Sequence, residues 1–142
     1  MGSYLMLRGI KPDLILSSCS LRAQETADGL AEQIDYEGKK FYLKELYLTS
    51  PDTLKETLMM QENQYGAIFV VGHNPQLTDF ANMLSDEHIS KIPTLGIVAL
   101  KLPIDEWNEL DSVQAEIDFF IYPKQFKYFM PKQIRAQLGE EQ

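Results

Sequence analysis

The chain has 142 residues, 44% of them hydrophobic, with 13 basic and 21 acidic side chains for a formal net charge of −8; this is the length of one domain, enough to bury roughly 68% of the unfolded surface. The acidic balance argues against nucleic acid or an anionic membrane as partner, since both reward clustered Lys and Arg, and it requires any phosphate site to be built locally. Cys19 is the only cysteine, which excludes an internal disulfide and points to a reducing, cytoplasmic setting, and neither a signal peptide nor an apolar run of about 18 residues is present.

Met1-Gly2-Ser3 resembles the start of a myristoylation signal, but Met6 stands where Ser or Thr is required. Tyr4 to Arg8 followed by Gly9 reads as the last turns of a helix with a glycine cap, and nothing upstream begins that helix. Leu14-Ile15-Leu16 is a short buried strand bounded by Ser17-Ser18. Residues 19–34 form a helix capped by Ser18, with Ala23, Ala27, Leu30, Ala31 and Ile34 on one face. Glu37-Gly38-Lys39 is a turn, and Phe41 to Leu46 a strand.

Ser50-Pro51-Asp52 is a helix start with a capping serine, proline in the first turn and an early acid. Leu54, Leu58 and Met59 line that helix's inner face. Ala67 to Val71 is the central strand. It leads into Gly72-His73-Asn74-Pro75, where Asn74 caps the next helix and Pro75 fits its first turn. That helix buries Leu77, Phe80, Ala81 and Leu84. Ile97 to Leu102 and Glu116 to Tyr122 are strands joined by a turn that Trp107 packs, and the tail from Pro131 forms a short helix. Strand–helix alternation followed by two adjacent strands predicts an α/β fold: a mostly parallel sheet with helices on both faces and a late hairpin, over a single domain 1–142.

The chemistry concentrates at strand exits. Ser17-Ser18-Cys19-Ser20-Leu21-Arg22 follows one strand and Gly72-His73-Asn74-Pro75 another, while Thr94-Leu95-Gly96 precedes a third. Binding residues of open α/β sheets gather beyond the carboxyl ends of the strands, so Arg22 and His73 converge there. A histidine beside a helix N-terminus suits an anion such as phosphate, and an arginine one turn into a helix offers a fork of N–H donors to phosphate oxygens.

These residues resemble the histidine phosphatase (phosphoglycerate-mutase-like) superfamily, most closely its phosphohistidine phosphatase branch, the SixA-type proteins. The match runs through Ile10-Lys11-Pro12-Asp13-Leu14-Ile15-Leu16-Ser17-Ser18, Leu21-Arg22-Ala23-Gln24-Glu25-Thr26-Ala27, Val71-Gly72-His73-Asn74-Pro75 and Pro93-Thr94-Leu95-Gly96, in that order. Cys19 stands where the family often has proline. The resemblance implies that Arg22 binds the phosphoryl group and that His73 is the second catalytic histidine, donating to a phosphoryl oxygen as charge develops. It implies a backbone N–H near Leu95 or Gly96 completing the pocket, and no metal or organic cofactor. The family sometimes has an acidic proton donor in the region of Glu45, a role that requires burial; the plain reading of Glu45 is a surface carboxylate on a strand edge. Asp79 reads as a helix-surface carboxylate. The basic, aromatic tail (Lys124, Phe126, Lys127, Tyr128, Phe129, Lys132, Arg135) packs against the sheet or touches a partner.

Family members open with a central strand ending in Arg-His-Gly, whose histidine is the nucleophile. No such motif occurs here, and His88, the only other histidine, lies in a polar stretch that does not match it. Absence of that first strand leaves two strand edges exposed. Three functions stay open. The chain is a phosphatase for a phosphorylated protein side chain or small phosphomonoester, inactive or weakly active without its nucleophile. It is a catalytically dead phosphate- or phosphopeptide-binding module. Or it is a structural protein forming a homo-oligomer through exposed sheet edges.

Overall fold

A computed structural model describes residues 2–47 and 49–123; the basic tail and its expected helix lie outside them. Gly2–Leu7 forms α1, closed by Gly9 in the left-handed conformation at φ 68°. The strand Leu14–Ser18 (β1) follows, then helix α2 at Leu21–Gln33 and strand β2 at Lys39–Leu43. A single 3₁₀ turn at Lys44–Leu46 leads to helix α3 (Pro51–Met59), strand β3 (Ile68–Val71) and helix α4 (Gln76–Ser85). Strands β4 (Ile97–Lys101) and β5 (Glu116–Ile121) close the described residues, linked through a 3₁₀ segment at Trp107–Ser112.

The expected α/β architecture is present. β1 is central in a parallel sheet of order β2-β1-β3, and β4 and β5 form the expected antiparallel hairpin as a separate sheet. Every residue of β1 is buried, so its period-2 alternation feeds two cores. Leu14 and Leu16 pack with Leu54 and Leu58 of α3, Phe80 and Leu84 of α4, and Leu110. Ile15 packs with Ala27 and Ala31 of α2, whose small side chains allow the helix a close approach to the strand, and with Phe69 and Val71 of β3. Helices therefore cover both faces. The connection between the hairpin strands is anchored by Trp107, whose ring nitrogen donates to the Tyr65 carbonyl at 2.8 Å.

Three local boundaries differ from the sequence reading. The strand over Phe41–Leu46 ends at Leu43, and Leu46 reaches the core from a 3₁₀ turn instead. The cap of α2 is Ser20, whose hydroxyl accepts the Ala23 N–H at 3.2 Å; Ser18 still pairs with Leu43 in the ladder and belongs to the strand. Helix α4 begins at Gln76, with Pro75 ahead of it after a cis Asn74–Pro75 peptide. Asn74 ties this corner nonetheless: its Oδ1 accepts the Thr78 hydroxyl at 2.7 Å and its Nδ2 donates to the Ile92 carbonyl at 2.6 Å.

The reading of Ser50 stands, with its hydroxyl accepting the Thr53 N–H at 3.1 Å and Pro51 in the first turn. Ser50→Ala is expected to lower stability by about 1 kcal/mol, the usual effect of losing an N-cap, while Ser50→Asp retains it. Urea denaturation checks both.

Candidate active site

The carboxyl ends of β1 and β3 lie side by side, since Ser17 pairs with Val71 across the ladder. Two residues beyond Val71, outside the strand, stands half-buried His73. Its Nε2 lies 2.8 Å from the hydroxyl of Ser18, the last residue of β1, and 3.4 Å from the hydroxyl of Ser20, the cap of α2. The Tyr47 ring meets the imidazole edge-to-face, with centroids 5.7 Å apart and planes at 90°. The ring is thus fixed from β1, from the start of α2 and from the segment after β2.

Arg22 sits in the first turn of α2, two residues past Ser20, and is exposed. Its guanidinium has no hydrogen-bond or ion-pair partner among the described residues. It is a cation without an internal partner, held two residues from a side chain that contacts His73.

The Pro93–Gly96 segment joins this corner through Asn74 and Ile92. It is a tight turn in which the Gly96 N–H donates to the Pro93 carbonyl at 2.8 Å, so that N–H is already engaged. A Cβ at Gly96 would sit 2.8 Å from the same carbonyl oxygen, which explains the glycine. Leu95, at φ 60° and 57% exposed, is the strained residue of the turn. Its N–H, like that of Thr94, has no backbone partner among the described residues.

Glu45 lies in the 3₁₀ turn, not on a strand, and is exposed. Its carboxylate is on the surface, as in the plain reading, but on a turn and not a strand edge. Its neighbour two residues on, Tyr47, is what reaches His73. Asp79, on α4, is exposed as expected. His88 is exposed on the loop after α4 and makes no contact with His73 among the described residues. No cluster of three His, Cys, Asp or Glu side chains that could hold a metal occurs among the described residues. The marked titration shifts lie elsewhere: a hydrogen bond from Tyr42, then one from Lys40, holds the exposed Asp28 carboxyl below its ordinary range.

The sequence singles out His73 and Arg22 but not the contacts that Ser18 and Tyr47 make with the imidazole. The available signal was the Ser17-Ser18-Cys19-Ser20 run itself, where hydroxyls leave the end of one strand beside the exit of another.

A parallel sheet covered by helices on both faces, with His73 and the start of α2 at its carboxyl end, defines the class: an open α/β domain. The particular fold is that of the SixA phosphohistidine phosphatases. The structure superposes with TM-score 0.74 and 16% identity on the protein histidine phosphatase SixA complexed with tungstate, over 88% of this chain and 78% of that one. It matches the protein from Agrobacterium tumefaciens assigned as phosphohistidine phosphatase SixA with TM-score 0.72 and 22% identity, over 86% of this chain and 75% of that one. For the protein from Nakamurella multipartitia with the same assignment the values are 0.68 and 19%, over 86% and 77%. No family model and no curated protein matches the sequence.

Proposed function

We propose that this chain is the phosphoryl-binding body of a histidine-phosphatase-type hydrolase that removes phosphate from a phosphorylated protein side chain or phosphomonoester. The observation that carries this reading is the junction of β1 and β3, where His73 is held by Ser18 and Ser20, with Arg22 two residues past Ser20 in the first turn of α2. The shared fold supports it, as does the tetrahedral oxyanion bound by one of the similar structures. Arg22 grips the phosphoryl oxygens, and His73 donates to one of them as negative charge builds in transfer. The Leu95 N–H supplies a further donor.

In this reading neither histidine of this sequence is the nucleophile. His73 is tied through Nε2, and His88 lies on an outer loop. In this reading the nucleophile is a histidine contributed from outside these 142 residues, and β3, with no second strand partner among the described residues, is the edge it would enter beside. The imidazole nitrogen forms a bond to phosphorus while the bond from phosphorus to the substrate's leaving atom breaks, and that atom takes a proton. Water then attacks the phosphohistidine and releases inorganic phosphate. A binding module without chemistry is the second reading, favoured by the absence of an Arg-His-Gly motif from the sequence.

The test is turnover of a generic phosphomonoester and of a phosphohistidine protein by this chain and by one extended upstream with its natural preceding residues. The extended form should turn over, and the 142-residue chain should be slower by about 10⁶, the scale of removing a nucleophile. Tungstate binding with an idle extended form would decide for the binding module. Loss of both would end the phosphoryl reading.

A further inference from the structure

We propose that Ser18 is a positioning residue that fixes the tautomer of His73, holding the neutral ring with its proton on Nδ1. Ser18 is 0% exposed, so its hydroxyl proton has no water to meet and requires an acceptor inside the protein. A serine hydroxyl has one proton and two lone pairs. One lone pair of Ser18 accepts the Ser20 backbone N–H at 3.3 Å. The remaining contact is His73 Nε2, at 2.8 Å. With a lone pair on Nε2, Ser18 donates to it and every polar atom is satisfied. With a proton on Nε2, Ser18 would accept twice and its own buried proton would be left without an acceptor among the described residues. The first arrangement wins.

Ser20 is compatible with the assignment. Its hydroxyl already accepts the Ala23 N–H at 3.2 Å and lies 3.4 Å from the same Nε2. Being only part-buried, it can turn its remaining proton toward Nε2 or toward solvent, so it fits this tautomer without imposing it. Two hydroxyls that each accept a backbone N–H face one ring nitrogen, and the buried one, Ser18, makes that nitrogen the acceptor. Nδ1 has no hydrogen-bond partner among the described residues, so its N–H is the donor the ring offers to a ligand. If the phosphoryl reading above holds, His73 can then donate to an oxyanion while uncharged, and the longer contact leaves the Ser20 proton available to the same ligand. The tautomer itself does not depend on that reading.

The experiment is a long-range ¹H–¹⁵N correlation of the chain labelled with ¹⁵N-histidine, recorded at about pH 9, above the ordinary imidazole range. Only two histidines are present, and the exposed-loop variant His88→Gln assigns the pair. The expected result is a protonated-type nitrogen shift at Nδ1 of His73 and a lone-pair-type shift at Nε2. Ser18→Ala should move the proton to Nε2, and Ser18→Thr, which keeps the hydroxyl, should restore the pattern. The wild-type spectrum needs no variant to fold: a proton on Nε2 overturns the proposal, as does a Ser18→Ala spectrum identical to wild type. Tungstate added to the same sample separates the questions. Failure to bind counts against the phosphoryl reading and leaves the tautomer result standing.

Discussion

Replacing Arg22 with alanine is expected to weaken tungstate or phosphate binding by about 10- to 100-fold while leaving stability within about 0.5 kcal/mol. The first figure is the usual 1.5–3 kcal/mol of a hydrogen bond to a charged group; the second is usual for a surface substitution that breaks no internal contact. Both follow from the same observation: Arg22 is exposed, and its guanidinium has no partner among the described residues. The chain's charge of −8 sharpens the expectation, because an anion arriving against that field depends on the local cation. Arg22→Lys keeps the charge but loses the planar fork, so its affinity should fall between the two. Calorimetric titration with tungstate, paired with a thermal melt of each variant, reads both quantities. An alanine variant that binds tungstate as the wild type does would remove Arg22 from the site.

His73 and Arg22 were legible because each follows a strand signal and precedes a helix signal, and chain direction alone puts such residues at one end of a parallel sheet. What joins them was not. Three of the four residues from Ser17 to Ser20 are serines, and any could cap the next helix. Only the ladder decides among them: Ser18 pairs with Leu43, so the strand runs two residues further than its apolar run and the cap passes to Ser20. That extension also delivers the Ser18 hydroxyl to His73. The strand expected to run through Glu45 stops short for a related reason. The run from Phe41 to Leu46 looks like one strand, yet β2 is an edge strand that pairs with β1 alone. Phe41 and Tyr42 are both exposed on it, at 45% and 38%, and a 3₁₀ turn brings Leu46 into the core. Apolar content without strict alternation carried no information about that turn.

The architecture was more legible than the site because it rests on long, consistent patterns. The alanine spacing of α2, the continuous burial of β1 and the proline-initiated α3 each agree with the observed packing. These levels point to one answer, as expected of a sequence that specifies one fold. The separation of the β4–β5 pair from the parallel sheet was foreshadowed only as a late hairpin, since pairing between sheets depends on long-range register that periodicity does not encode.

The same logic predicts how unevenly the molecule should respond to truncation of apolar side chains. Leu16→Ala removes a side chain 1% exposed at the centre of the larger core, between α3 and α4. A cavity there is enclosed by Leu54, Leu58, Phe80 and Leu84, on helices already held by their own contacts. Poor collapse places the loss at about 3 kcal/mol within the 2–5 range of such changes. Against a total stability of about 5–15 kcal/mol that is a large fraction, and it corresponds to a fall of about 10 °C in melting temperature for a chain of this size. Ile15→Val, on the other face of the same strand, removes one methyl group beside Ala27 and Ala31 and should lose only about 1 kcal/mol. Phe41→Ala deletes a larger side chain than either, yet one exposed on the edge strand, and should change stability by under about 0.5 kcal/mol. The order Leu16, Ile15, Phe41 runs against side-chain size at its last step, so urea titration of the three variants tests whether β1, and not the aromatic strand beside it, organises the fold. A Phe41→Ala loss equal to that of Leu16→Ala would mean that β2 is covered in solution.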